Sequence, residues 1–246
     1  MVVTSNAFRQ EALKQTAQPV YVLHTYPFKE TSLVVELFSQ QFGRVAAVAK
    51  GARRPHSAMR GLLQSFQMLS GAWSGKNELK TLHSLDWSAG LTLLKGEALM
   101  CGFYMNELLL RLLPREDAHE SLFAYYAAAL QTLSIETDLA NTLRRFELKL
   151  LQELGYAVPL IQDENDVPIE ADKTYRYEAE YGACELAVTK NGVQCRGKTL
   201  LDMARDDYSD VQTQSQSKQL MRYLLAYYLG DKPLHTRQLL IDIQTI

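Results

Sequence analysis

Apolar positions recur with a period near two through the first third of the chain and with a helical period beyond it. After a polar stretch at residues 1–18, β-rich runs occupy residues 20–25, 31–39, 44–49, 65–73 and 78–87. Turn material separates them at residues 26–29, 40–43, 50–64 and 74–77. Five strands in about seventy residues predict a small closed barrel, since a two-sheet sandwich needs more strands. An OB-fold and an SH3-like barrel both satisfy that count. In so small a barrel most of Tyr26, Phe28, Phe42, Phe66 and Trp73 must fill the core. Tyr26 and Phe28, in the first loop, are the two candidates for stacking on bases.

Beyond residue 90 the pattern predicts helices at residues 97–113, 117–133, 138–154, 216–229 and 235–243. The first is apolar nearly all round and is stopped by Pro114, with Glu107 and Arg111 as an intrahelical pair. The third ends at Gly155, a left-handed cap. Its apolar arc contains both Arg144 and Glu147, whereas Arg145 and Lys149 fall on the wet side. Two readings follow. Arg144 and Glu147 form an internal i,i+3 ion pair, or Arg144 edges an apolar pocket and receives a partner's carboxylate. Residues 161–185 are acidic, and Asn191-Gly192, flanked by residues 185–190 and 193–198, predicts a hairpin.

The formal net charge of −2 conceals an asymmetry. Residues 1–90 carry ten Lys and Arg against five Asp and Glu, leaving sixteen against twenty-three for the remainder. A basic front and an acidic back suggest a polyanion bound in front. The basic residues concentrate in the loop after the third strand, where Lys50, Arg53, Arg54 and Arg60 occur with no carboxylate among them. Such a loop is either a solvated surface turn or a phosphate contact, and mutual repulsion should keep it solvated or mobile until an anion arrives. The chain shows no signal peptide and no membrane-length apolar run, which predicts a cytoplasmic protein. Three cysteines at unrelated spacings predict free thiols.

Residues 192–199, GVQCRGKT, match the phosphate-binding P-loop pattern, but only 47 residues follow Thr199 and they read as helices. No nucleotide is expected. The five histidines are scattered and no nucleophile–base or metalloprotease motif occurs, so nothing supports catalysis.

Three stretches together resemble the RecO family of recombination mediators: YVLHTYPFKETSLVVELFSQQFGRVAAVAKGARR at residues 21–54, FYMNELLLRLLP at 103–114 and LRRFELKLLQELGY at 143–156. Weaker similarity runs through YLGDKPLHTRQL at residues 228–239. The resemblance implies an N-terminal OB-fold followed by a helical domain. It also implies non-catalytic binding of single- and double-stranded DNA, strand annealing, and loading of RecA with RecR onto strands coated by single-stranded-DNA-binding protein (SSB), in a nucleoid-associated setting. Under it, Lys50, Arg53, Arg54 and Arg60 become phosphate contacts, with Arg44, Lys29 and Lys80 as outlying candidates. The acidic SSB C-terminal tail would meet Arg144, beside Leu143, Leu148 and Leu151, with Arg145 and Lys149 as rim charges. Many relatives hold zinc through two CxxC pairs in the region after the Leu-Gly-Tyr segment. Here only Cys184 and Cys195 occur there, and two thiolates do not close a tetrahedral site, so no metal or other cofactor is expected. His119 and His235 read as ordinary polar residues.

The expected architecture is α+β. A tail (1–18) precedes an OB-fold barrel that binds DNA (19–90), then a helical domain (91–160), an acidic loop-and-hairpin insertion (161–198) and C-terminal helices that complete the helical domain (199–246). The competing reading is an interaction scaffold whose barrel binds a protein and whose DNA contact is incidental.

Overall fold

The computed structural model describes residues 14–88, 90, 93–135, 138–156, 158–184, 192–230 and 233–236. They fall into two compact units, one formed by the described residues up to Ile135 together with His235 and Thr236, the other lying between residues 138 and 234.

The first unit is built on five strands: β1 (Lys14–Phe28), β2 (Ser32–Ser39), β3 (Gly43–Ala49), β4 (Met68–Ser74) and β5 (Leu79–Trp87). They close into a barrel of order β1-β2-β3-β5-β4, antiparallel throughout except for the parallel β3–β5 pair. This is the five-stranded Greek-key barrel expected of an OB-fold. Alternation supplies its core, with Val20, Val22, Val35, Leu37, Val45, Ala47, Leu69, Trp73, Leu82 and Leu85 all buried together. β1 starts at Lys14, inside the stretch read as a polar tail; residues 1–13 lie outside the described residues. Closure explains the extra length, because the N-terminal half of β1 pairs with β4 (Lys14 with Ser74) and the C-terminal half with β2 (Phe28 with Ser32). Backbone pairing of this kind needs no apolar side chains and leaves no hydrophobic signal.

Two helices complete this unit, α1 (Gly96–Leu112) and α2 (Glu120–Ser134). α1 stops where Leu113 turns extended ahead of Pro114. Tyr21 and Phe38, neighbours across β1 and β2, pack their rings against Phe123 and Tyr126 of α2 at centroid distances of 5.1–5.9 Å. Asn106, buried on α1, donates to the Leu23 carbonyl (2.9 Å) and accepts from the Tyr126 hydroxyl (2.5 Å). That fully enclosed amide locks helix to strand, since each of these polar groups would cost about 1–3 kcal/mol if left unpaired.

The second unit holds α3 (Leu139–Glu153), a sheet of order β7-β6-β8, α4 (Gly197–Ala204) and α5 (Val211–Leu229). The three strands are β6 (Thr174–Glu178), β7 (Gly182–Cys184) and β8 (Val193–Arg196). Asp138 caps α3 by accepting from the Asn141 amide. Gly155, at φ +77°, ends α3 with the paired bonds Gly155 N–H to Gln152 and Tyr156 N–H to Leu151. The first arm of the expected Asn191-Gly192 hairpin falls where nothing is described. β8 pairs with β6, and Gly197 opens a helix where a strand was expected. Residues 185–191 lie outside the described residues. α5 begins five residues ahead of its expected start at Gln216, and of the expected 235–243 helix only His235 and Thr236 are described.

Candidate nucleic-acid interface

The loop leaving β3 is a succession of hydrogen-bonded turns. The amides of Ala52, Arg54, Ser57 and Arg60 donate to the carbonyls of Ala49, Gly51, Arg54 and Ser57, and a 3-10 turn (Ala58–Gly61) follows. Ala52 is fully buried, and Met59, Leu62 and Leu63 pack against the barrel core. The loop is thus held to the barrel by its apolar residues and its own turns, while its cations stay solvated, as one of the two expectations had it. Lys50, Arg53, Arg54 and Arg60 all point into solvent.

Lys29, an outlying candidate in the sequence, joins this group. The Arg53 amide donates to the Thr31 carbonyl (2.9 Å), and the Arg53 guanidinium reaches the Lys29 carbonyl (3.4 Å). The tip of the β1–β2 hairpin is thereby tied to the basic loop. Among the described residues, Lys29, Lys50, Arg53, Arg54 and Arg60 form no ion pair. The Lys29 ammonium lies 5.4 Å from the centre of the half-buried Phe28 ring. Tyr26, 45% exposed, meets the His24 ring edge-on at 4.5 Å. His24 had no signal beyond its place two residues before Tyr26, which puts both on one side of an extended strand. Trp73 is buried in the barrel core with Phe42 half-buried against it, and Phe66 is buried against Phe103 of α1.

Two further candidates have internal partners. Arg44 donates to the Leu110 carbonyl (2.7 Å) and faces the buried carboxylate of Glu36 at 3.9 Å; burial holds its guanidinium below the ordinary pKa. Lys80 is buried and bonded to Glu116 at 2.5 Å. Both charges are spent inside the unit, so neither can meet a phosphate without breaking an internal pair.

In the second unit, Arg144 and Glu147 form the internal pair, at 2.6 Å, with the Glu147 side chain fully buried. Leu148 and Leu151 are buried and Leu143 is half-buried. Arg145 bonds Asp206 (2.7 Å) beside the Tyr208 ring, and Lys149 pairs with Glu153 (2.8 Å).

The P-loop pattern has no phosphate cradle. The amides of Gly197 and Lys198 donate to the carbonyls of Lys173 and Ala171, and the Arg196 amide donates to Gln216. The Lys198 ammonium is held by Asp202 and Asp210, and the Thr199 hydroxyl by Gln216. A Cβ at Gly197 would lie 1.9 Å from the Glu170 carbonyl oxygen, so this glycine allows close packing of backbones. Cys184 and Cys195 sit on the two outer strands of the small sheet, where burial pushes both thiols up to about 12. Among the described residues, no three His, Cys, Asp or Glu side chains are grouped to hold a metal ion. Among the same residues no helix is long and apolar enough to cross a membrane.

Comparison with known proteins accounts for nearly the whole chain. Residues 13–91 match the family model for the recombination protein O N terminal, and residues 93–238 match that for its C terminal. A DNA repair protein RecO from Nitrosospira multiformis is 53% identical over 239 residues, spanning 95% of this chain and 98% of the relative. Those from Dechloromonas aromatica (52%, covering 95% and 98%) and Burkholderia pseudomallei (47%, covering 97% and 87%) are similar throughout. With both family models matched in order along it, the chain belongs to the RecO family of DNA repair proteins, non-catalytic mediators of recombination.

Proposed function

We propose that the protein binds single- and double-stranded DNA through the basic end of its barrel, promotes annealing of complementary strands, and with RecR helps load RecA onto SSB-coated single strands. The observation that carries the reading is the group of Lys29, Lys50, Arg53, Arg54 and Arg60, exposed together and engaged by no carboxylate among the described residues. Cations held ready for phosphates bind the backbone without reading sequence, and neutralising two strands lets them approach. Tyr26 and Phe28 lie beside this group and offer ring faces to unstacked bases. On the protein side, the acidic SSB tail is assigned to the Arg144 end of α3. A tail carboxylate there would exchange with Glu147 for the Arg144 guanidinium, with Arg145 and Lys149 at the rim and Leu143, Leu148 and Leu151 beneath.

The test is fluorescence anisotropy of a labelled single strand across a salt series, comparing the natural protein with a Lys50→Glu, Arg53→Glu, Arg54→Glu variant. The variant should lose at least about tenfold in affinity, and its slope of log K against log salt should flatten by about 2, since each single-strand phosphate contact contributes about 0.7. Equal binding by both proteins would move the DNA surface elsewhere and favour a protein-binding role for the barrel.

A further inference from the structure

In a five-stranded barrel of this kind, a bound strand ordinarily crosses the face of the second and third strands and touches the β1–β2 and β4–β5 loops that flank it. Here the chain itself occupies part of that path. The outer side chains of β1 and β2, Tyr21 and Phe38, are buried under α2. Next along the same side of β2, Glu36 is buried and bonded to Arg115 at 2.5 Å. Across on β3, Arg44 is bonded to the Leu110 carbonyl, and its own carbonyl accepts from the Glu116 amide (2.9 Å). The Asp117 carbonyl fits against Gly43 so closely that a Cβ there would lie 1.7 Å from its oxygen. The segment from Leu110 to Asp117 is thus seated on β2 and β3 by the Arg115 pair with buried Glu36, the Arg44 bond to the Leu110 carbonyl and a backbone bond.

The two flanking loops also differ. Lys29, on the β1–β2 hairpin, belongs to the five-cation group. Lys76, on the β4–β5 turn, is exposed at the opposite limit of the barrel, where Ser74 pairs with Lys14 at the far end of β1. We infer that nucleic acid meets this barrel at one end only, its phosphates over Lys29, Lys50, Arg53, Arg54 and Arg60, and does not run along β2 and β3 toward Lys76. This inference rests on the DNA-binding reading above and specifies how the strand lies. A contact of five cations spans about five phosphates. So short a hold leaves the bases on either side uncovered and free to pair with a second strand, which suits annealing better than a groove that sheathes the strand.

The experiment compares Lys29→Gln and Lys76→Gln, two exposed side chains outside the core, using oligothymidylates of increasing length across a salt series. Lys29→Gln should weaken binding severalfold and flatten the salt slope by about 0.7, while Lys76→Gln should match the natural protein. Beyond the gain from extra registers, affinity of the one-to-one complex should level off by about six nucleotides. A loss in Lys76→Gln equal to that in Lys29→Gln, or affinity still climbing at about twelve nucleotides, would overturn end-on binding. If the loop charge-reversal variant binds like the natural protein, it is the basic-end reading itself that fails.

Discussion

At the scale of single residues, charge reads the same in a sequence whether a side chain is solvated or spent. Arg44 and Lys80 carry the same signal as Lys50 and Arg54, yet Glu36 and Glu116 hold the first two inside the unit while the second two stay in water. Those carboxylates lie at other points of the chain, so no local pattern separates the cases. Arg144 and Glu147 are different, because three-residue spacing on a helix made their pairing legible. Arg144→Ala should destabilise the fold by about 3 kcal/mol, since it withdraws the guanidinium from a fully buried carboxylate, whereas an exposed pair would cost under about 1 kcal/mol. Urea unfolding of the variant measures this. A change under about 1 kcal/mol would mean that Glu147 is well held without Arg144, which would leave the guanidinium easier to share with a partner.

At the scale of elements, helices with local punctuation were readable. Asp138 and Gly155 bracket α3, and Pro114 sets the limit of α1, because capping and steric stops act within a few residues. The reach of β1, the pairing of β8 with β6 and the start of α4 were not readable, since each depends on a partner distant in sequence. Glu107 makes the same point. Spacing predicted a pair with Arg111, and that contact exists at 4.0 Å, but its carboxylate chiefly accepts from the amides of His235 and Thr236 and from the Thr236 hydroxyl, at 2.7–2.9 Å. It caps a helical start 128 residues away. Burial opposes its ionisation, but the bonds from Thr236 and His235 outweigh it and hold the carboxyl below its ordinary pKa. A depressed carboxyl contributes stability above its unfolded pKa, about 4.3, and loses it as pH falls through the lower folded value. Glu107→Gln should therefore increase amide exchange at His235 and Thr236 severalfold at pH 7, and its stability deficit should shrink as pH drops below about 4. Unchanged protection of those two amides would show that the cap is dispensable.

At the scale of the whole molecule, the charge asymmetry of the sequence has a structural counterpart at the basic end of the barrel. Eight of the ten cations of residues 1–90 already do not act alike, however: five gather there, two are paired internally, and Lys76 stands at the other end. The salt dependence should reflect the group and not the total. A slope near −3.5 is expected for single strands, from about five contacts at about 0.7 each. A slope near −7, the value for all ten cations, would mean that the strand engages charges well outside the group.

The sequence by itself determined the barrel's alternation, the limits of α1 and α3, the basic loop and the family. These are carried by local periodicity, by capping residues and by stretches that need no partner to be recognised. Only the tertiary structure decided which cations remain available, that Lys29 belongs with Arg53, that residues 110–117 lie across β2 and β3, and that a phosphate-loop pattern is filled by its own chain. Each of those depends on burial and on hydrogen bonds between residues far apart in sequence. A buried charge must find its counter-charge wherever the fold brings one.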